Sequence, residues 1–220
     1  ADFVYPVALG AKEIHVCGAS NSREILEEII NDCGDPYEII EYKRRIPLEV
    51  QDKAFNYNEV EEGDAIVVFS KKRVLELAEE YSSKGIKASL IYGDLPPEVR
   101  RKQYEQFVNK ETKILITTDA IGMGVNLPIR RIIFLSVKKF DGEEVRFLTS
   151  QEVKQIAGRA GRQGIYDVGY VASVGNNAEV IKDKLVREDK IITEAVIGPS
   201  DAILRIYLLL VHGTKLLNLQ

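Results

Sequence analysis

Cysteine and histidine are scarce in this 220-residue sequence, with two of each. His15 and His212 are too few for a histidine metal centre or a histidine-based triad. Cys17 and Cys33 are too few for a disulfide framework or a zinc site made from cysteine alone. No metal site is expected. Cys17, in a strand-like run, and Cys33, at a helix end, read as small buried hydrophobes. An excess of positive charge is also lacking. Lys and Arg number 30 against 34 Asp and Glu, a formal charge of −4, so no overall basic field attracts nucleic acid and any such binding must be local. No apolar run reaches the ~18 to 20 residues that span a bilayer, and the first residues lack a signal-peptide layout. The expectation is a soluble chain in a reducing compartment, with no membrane partner.

Two signatures of nucleotide chemistry are missing as well. There is no G-x-x-x-x-G-K-[ST] loop to cradle phosphates, and no Asp-Glu pair ends an apolar strand to hold magnesium. Any anion-binding groups in the chain must act on something held elsewhere.

What is present is ordinary globular material: 45% hydrophobic and 29% charged residues, enough for a full core in one domain, or one domain with an appendage. "EIHVC" (13–17) and "YEIIEY" (37–42) read as strands around a helix, "NSREILEEIINDCG", with Asn21 as cap, Glu24 in capping-box position and Ile25, Leu26, Ile29, Ile30 and Cys33 as its stripe. "AIVVFS" (65–70) is almost wholly apolar, as a strand covered on both faces should be. A helix follows from Lys71 to about Tyr81. "KASLIY" (87–92) leads through Gly93 and Asp94 to Pro96-Pro97, a helix opening in which proline forfeits no needed N–H. "KILITT" (113–118) and "RIIFLS" (131–136) are further strands, and Asp141-Gly142 marks a hairpin within 138–147. A helix from about Ser150 precedes a last strand, "VGYVAS" (168–173), and helices at about 177–187 and 201–211. Strands alternating with helices predict an α/β fold with a mainly parallel, doubly wound sheet and helices on both faces.

In such sheets ligands sit outside the carboxyl ends of the strands. There stand Phe69, Ser70 and Lys71, then Gly93, then Thr118, Asp119, Gly122, Gly124 and Asn126. Closely spaced glycines let a backbone approach a phosphate or ribose, although two glycines alone fit an ordinary strand-to-helix turn better. "QIAGRAGRQG" is more specific. Arg159 and Arg162 each follow a glycine, and guanidinium forks onto phosphate oxygens and stabilises the charge that develops in phosphoryl transfer. With no phosphate loop of its own, the chain offers these arginines as half of a site whose nucleotide arrives on another domain. Lys43-Arg44-Arg45 and Arg100-Arg101-Lys102 read as solvated faces.

"TTDAIGMGVNLP" followed by "QIAGRAGR" resembles the second RecA-like domain of superfamily 2 helicases. "HVCG", "EYKRRIPL", "IYGDLPPEVRRKQ" and "ILITTDAIGMGVNLPIRRIIF" resemble more closely the mitochondrial degradosome RNA helicase family and its bacterial relatives. The resemblance covers most of residues 13–175. It implies a linker or remnant of the first domain at 1–12 and a helical extension, the start of an accessory region, at 176–220. It implies catalytic roles for Arg162, the finger onto the γ-phosphate, for Arg159 beside it, and for Gln155. Gly122, Gly124, Asn126 and Asp119 would lie near the nucleotide, Asn126 where many relatives carry aspartate. Phe69, Ser70, Lys71, Gly93 and Thr118 would contact the nucleic-acid backbone. ATP with Mg2+ would be held mainly by the missing first domain, leaving this fragment inactive alone. Single-stranded RNA is the expected partner, with DNA possible, an exoribonuclease partner left open, and a bacterial cytoplasmic or mitochondrial matrix setting. A DNA translocase of the same superfamily and a freestanding module that lends arginines to a partner NTPase are the alternatives. Phe140 or Phe147 of the hairpin would be either a wedge against RNA or packing onto the domain.

Overall fold

The computed structural model describes residues 12–122 and 126–194. Gly124 of the expected nucleotide loop and the helix expected at 201–211 lie outside them. The chain divides into two compact units. One includes the described residues 12–40 and 190–194; the other runs from Glu41 to Asp189 and holds every strand described below.

In the first unit, a 3-10 turn at Ser20–Ser22 leads into α1 (Arg23–Cys33), which Gly34 ends in a left-handed conformation (φ 73°). Asn21 does not cap this helix. Its side-chain amide donates to the carbonyl of Lys190 at 2.8 Å, and its own carbonyl accepts from the N–H of Ile192. The strands expected at 13–17 and 37–42 do not form, and both cysteines are exposed rather than buried. Ile39, Ile40 and Tyr42 are exposed too. β-propensity describes fit to a pleated, half-buried surface, and no strand pairs with either segment among the described residues.

In the second unit a six-stranded sheet has the order β1-β8-β5-β2-β4-β3, with every neighbouring pair parallel. The strands are β1 (Leu48–Val50), β2 (Asp64–Val67), β3 (Ala88–Ile91), β4 (Ile114–Thr117), β5 (Arg131–Phe134) and β8 (Gly169–Ser173). β1 was not expected; its three residues after Pro47 carry only a brief Leu-Glu-Val alternation. Crossovers are made by α2 (Lys71–Ser83), α3 (Pro97–Val108) and α4 (Ser150–Ala157), with α5 (Ala178–Val186) after β8. β2, β4 and β5 are buried at every position, and their alternate residues feed two cores. Ala65, Val67, Leu115, Ile132 and Phe134 pack with Phe107 of α3, Val153 and Ile156 of α4 and Ile181 of α5. Ile66, Ile114, Ile116 and Ile133 pack with Val74, Leu77 and Tyr81 of α2. The period-2 split of apolar strands between two helical layers is what a doubly wound sheet requires.

Asp64 and Arg131 begin β2 and β5, face each other in register, and are buried as an ion pair. Arg131 forks onto the carboxylate with Nε–Oδ1 2.9 Å and Nη2–Oδ2 2.6 Å. Beyond β5, β6 (Lys138–Phe140) and β7 (Val145–Phe147) form the expected antiparallel hairpin outside the main sheet.

Candidate nucleotide and nucleic-acid site

Because the sheet is parallel, the exits of β2, β3 and β4 share one edge. After β2, Phe69 is half-buried against the core, and Ser70 starts α2 as its N-cap, its hydroxyl accepting from the N–H of Arg73 at 3.2 Å. The Lys71 ammonium stands 5.2 Å over the ring of Tyr92, the residue that follows β3. Gly93 comes next, exposed, with open space wherever a Cβ would point. Arg100, expected on a solvated face, instead reaches back from α3 and donates to the carbonyl of Gly93 at 2.7 Å. This edge therefore offers an ammonium, the first N–H groups of a capped helix and an uncovered stretch of backbone, a combination suited to phosphate oxygens.

After β4, Thr118 is buried and its hydroxyl accepts from the N–H of Ala120 at 3.3 Å, so it serves the 3-10 turn Asp119–Gly122. Asp119 is exposed and pairs with Lys139 of the hairpin at 3.0 Å. Lys139 also pairs with Glu152 at 2.7 Å. Glu152 lies in the first turn of α4 and completes a capping box, accepting from the Thr149 N–H while Thr149 accepts from its N–H. Arg146 of β7 adds a two-pronged pair to the same carboxylate at 2.9 and 3.0 Å. Burial opposes ionisation of Glu152, but the hydrogen bonds from Arg146, Lys139 and Thr149 outweigh it and hold the carboxyl down at about 2.

The inner face of the hairpin, Lys139 and Arg146, is thus fixed by ion pairs. Its outer face, Phe140, Val145 and Phe147, is 61%, 67% and 50% exposed. The two phenylalanines do not pack the hairpin onto the domain. Lys138 lies over the Phe147 ring at 4.5 Å.

α4 crosses the sheet from that edge to the opposite one. Gln155 is exposed on it, one turn after Glu152. Past its end, Gly161 donates to the carbonyl of Ile129, which precedes β5. The arginine loop therefore lies at the amino-terminal edge of β5 and β8, away from Ser70, Gly93 and Thr118. Arg159 and Arg162 are both half-buried. Arg162 donates from Nη1 to the carbonyl of Asn126 at 3.1 Å, joining two of the expected site segments. Gly161 is buried against the backbone of Gly169, where a Cβ would come within 2.7 Å of Cα and N.

Sequence reasoning missed Arg44. The fork of its side chain donates to the carbonyls of Gly158, at 2.7 Å, and of Ala160, and its Nε donates to the carbonyl of Ile46. No motif signals this contact, which joins positions more than a hundred residues apart.

The helicase conserved C-terminal domain family matches residues 45–164, more than half of the chain. The chain belongs to that family. This helicase domain is 37% identical over 203 residues to the mitochondrial ATP-dependent RNA helicase SUV3 of Candida albicans, covering 90% of the chain and 28% of the relative. It is 42% identical over 170 residues to the mitochondrial ATP-dependent RNA helicase SUV3L of Oryza sativa subsp. japonica, covering 74% of the chain and 23% of the relative. The chain thus spans about a quarter of the length of these two relatives. Among solved structures, S. cerevisiae Dbp5 bound to RNA and ADP BeF3 superposes with a TM-score of 0.53 at 16% identity, over 76% of the chain and 48% of that structure. The shared architecture is RecA-like, as expected, and the resemblance to superfamily 2 helicases holds.

Proposed function

We propose that the chain is the second motor domain of an ATP-dependent RNA helicase, lending Arg162 and Arg159 to a nucleotide held on a first RecA-like domain. The observation that carries this reading is the placement of Arg162 against Asn126, at the end of the helix whose first turn is tied to the exit of β4. The donor set fits a nucleotide's phosphates. Two guanidinium groups beside a ribose- or phosphate-facing loop can neutralise three equatorial oxygens, while the acidic and phosphate-cradling motifs that hold ATP with Mg2+ are not in this chain. Bound ATP supplies a scissile γ-phosphoryl group. Arg162 orients onto that group's oxygens, Arg159 supports the same charge, and Gln155 positions the attacking water or the nucleotide. Asn126, against Arg162, borders the nucleotide, whereas Asp119 and Gly122 stand at the exit of β4, on the edge away from the arginines. The arginines disengage after hydrolysis and the domain moves relative to the first.

At the other edge Phe69, Ser70, Lys71, Gly93 and Thr118 grip the backbone of single-stranded RNA. Backbone contacts without base-edge readout make binding sequence-tolerant and salt-sensitive. The exposed Phe140 and Phe147 meet RNA bases as a wedge or guide. By itself this domain hydrolyses no ATP. The mitochondrial relatives named above support a mitochondrial matrix setting over a bacterial cytoplasm, and an exoribonuclease partner is compatible with that reading.

The test is RNA-stimulated ATPase activity of the full open reading frame that contains this chain, wild type against Arg162→Ala, with RNA and DNA compared as activators. Loss of ~10³-fold or more in turnover with ATP binding kept is the expected result. Unchanged turnover would overturn the reading, and equal or better stimulation by DNA would turn it into a DNA translocase.

A further inference from the structure

We infer that Arg44 is a positioning residue for Arg159, a role that rests on the reading above. Arg44 lies one residue before the family match, which begins at residue 45, and joins a segment far from α4 in sequence. Its two terminal nitrogens reach the carbonyls of Gly158 and Ala160. The Gly158 carbonyl belongs to the peptide that enters Arg159, and the Ala160 carbonyl to the second peptide beyond it. Arg159 is therefore bracketed by two peptides held by one rigid, planar fork. The third donor, Nε, holds the Ile46 carbonyl at 2.5 Å, which anchors the fork to the segment entering β1. A carbonyl without a partner at a helix end is free to rotate its peptide. Here both peptides are held, and the Arg159 Cα with them.

Two further features make the clamp specific. Gly161 packs on Gly169, and a Cβ there would also meet Cγ2 of Ile46 at 2.7 Å, so the loop lies close against the segment that Arg44 anchors. Arg44 is exposed along part of its length, while all three kinds of its donor nitrogen reach carbonyls, and partial desolvation lowers the pKa of its guanidinium. Lysine cannot replace it, because one ammonium is a point donor and does not span carbonyls on two segments. Arg44 also lines two open cavities, of about 570 and 410 Å3, one with Lys154, Gly158 and Leu185 and the other with Tyr42, Arg45 and Gln163. The place vacated by truncation is therefore accessible to a small guanidinium from solution.

The experiment is steady-state ATPase activity with saturating RNA in the full open reading frame, comparing Arg44→Ala, Arg44→Lys, Arg159→Ala and the Arg44→Ala/Arg159→Ala double variant. A misplacement near an ångström lowers kcat by ~10- to 100-fold. The expected result is that loss in Arg44→Ala and in Arg44→Lys, with KM for ATP within about threefold of wild type. The double variant should be no slower than Arg159→Ala alone, and methylguanidinium should restore part of the Arg44→Ala turnover. Losses that multiply in the double variant, an unchanged kcat in Arg44→Lys, or a change confined to KM would each overturn the assignment. If Arg44→Ala does not fold, the Lys variant carries the same double-variant test. Full turnover in Arg159→Ala would sink the site reading itself, whereas loss there with multiplying effects would sink only the role of Arg44.

Discussion

Arg146 and Glu152 meet as a two-pronged pair, 2.9 and 3.0 Å, that ties the hairpin to the first turn of α4. The carboxylate is held near 2 against an ordinary value of 4.5, so the folded state favours its ionised form. A depressed carboxyl contributes stability that is present above the unfolded value and is lost as pH falls through the folded one. Glu152→Gln should destabilise the domain by about 2 kcal/mol at pH 7, discounting the full linkage value for its partial exposure to solvent. The gap to wild type should persist down to about pH 5 and close as pH falls toward 2. Urea unfolding of both proteins across that window checks it; a gap that widens on acidification contradicts the network.

The inner strands β2, β4 and β5 are legible because burial on both faces writes itself as uninterrupted apolar runs, as in Ala65–Val68 and Ile114–Ile116, whereas the half-buried edge strand β1 leaves no such run. The hairpin was legible from Asp141-Gly142. The segments 13–17 and 37–42 show the limit. They carry the same β-branched and aromatic residues, but a strand needs a neighbour, and composition does not say whether one exists. Arg44 and Arg100 show a second limit. A run of basic residues reads as a solvated face, yet the middle arginine of one and the first of the other turn inward to carbonyls, a choice made by tertiary packing. The arginine loop was legible as chemistry. Its position, at the sheet edge opposite Ser70 and Gly93, depends on the course of α4.

Asp64 and Arg131 carry a stability prediction of their own. Both lie at the starts of strands, away from Ser70, Gly93 and Thr118 and on the edge that carries the arginine loop, and Arg131 is further held by the carbonyl of Glu59 at 3.1 Å and the ring of Phe55. Arg131→Met leaves a wholly buried carboxylate without its partner, which costs about 3–5 kcal/mol. Asp64→Leu combined with Arg131→Met should recover much of that loss, because no charge is then left buried. Chemical denaturation of the single and double variants distinguishes the cases; a double variant as unstable as the single one would show that the carboxylate is not the cause.

Lys71 makes a prediction about salt. Its ammonium lies over Tyr92 beside the open backbone of Gly93, and a single phosphate contact there would release about one counterion on binding. Lys71→Gln should weaken RNA binding to a similar degree for every sequence and reduce the slope of log K against log salt by about 1. Titrations at several salt concentrations measure it. An unchanged slope would place Lys71 outside the phosphate track.

Gly93 and Gly161 are both glycines of the candidate site, and the structure assigns them opposite sensitivities. Gly161 has a φ of 74° and no room for a Cβ beside Gly169 and Ile46. Alanine there adds left-handed strain to a steric conflict, so Gly161→Ala should cost at least ~1–3 kcal/mol. Gly93 has neither constraint: its φ is not in the left-handed region, and nothing stands within 4 Å of a Cβ. Gly93→Ala should leave stability within about 0.5 kcal/mol of wild type. If the open backbone exists for a ligand's approach, the same substitution should weaken RNA binding several-fold, because the methyl group occupies the space a phosphate or ribose would enter. Thermal melts and RNA titrations of the two variants separate the roles. A Gly93→Ala protein that binds RNA as tightly as wild type would remove Gly93 from the interface, and the track along this edge would then run through Phe69, Ser70, Lys71 and Thr118.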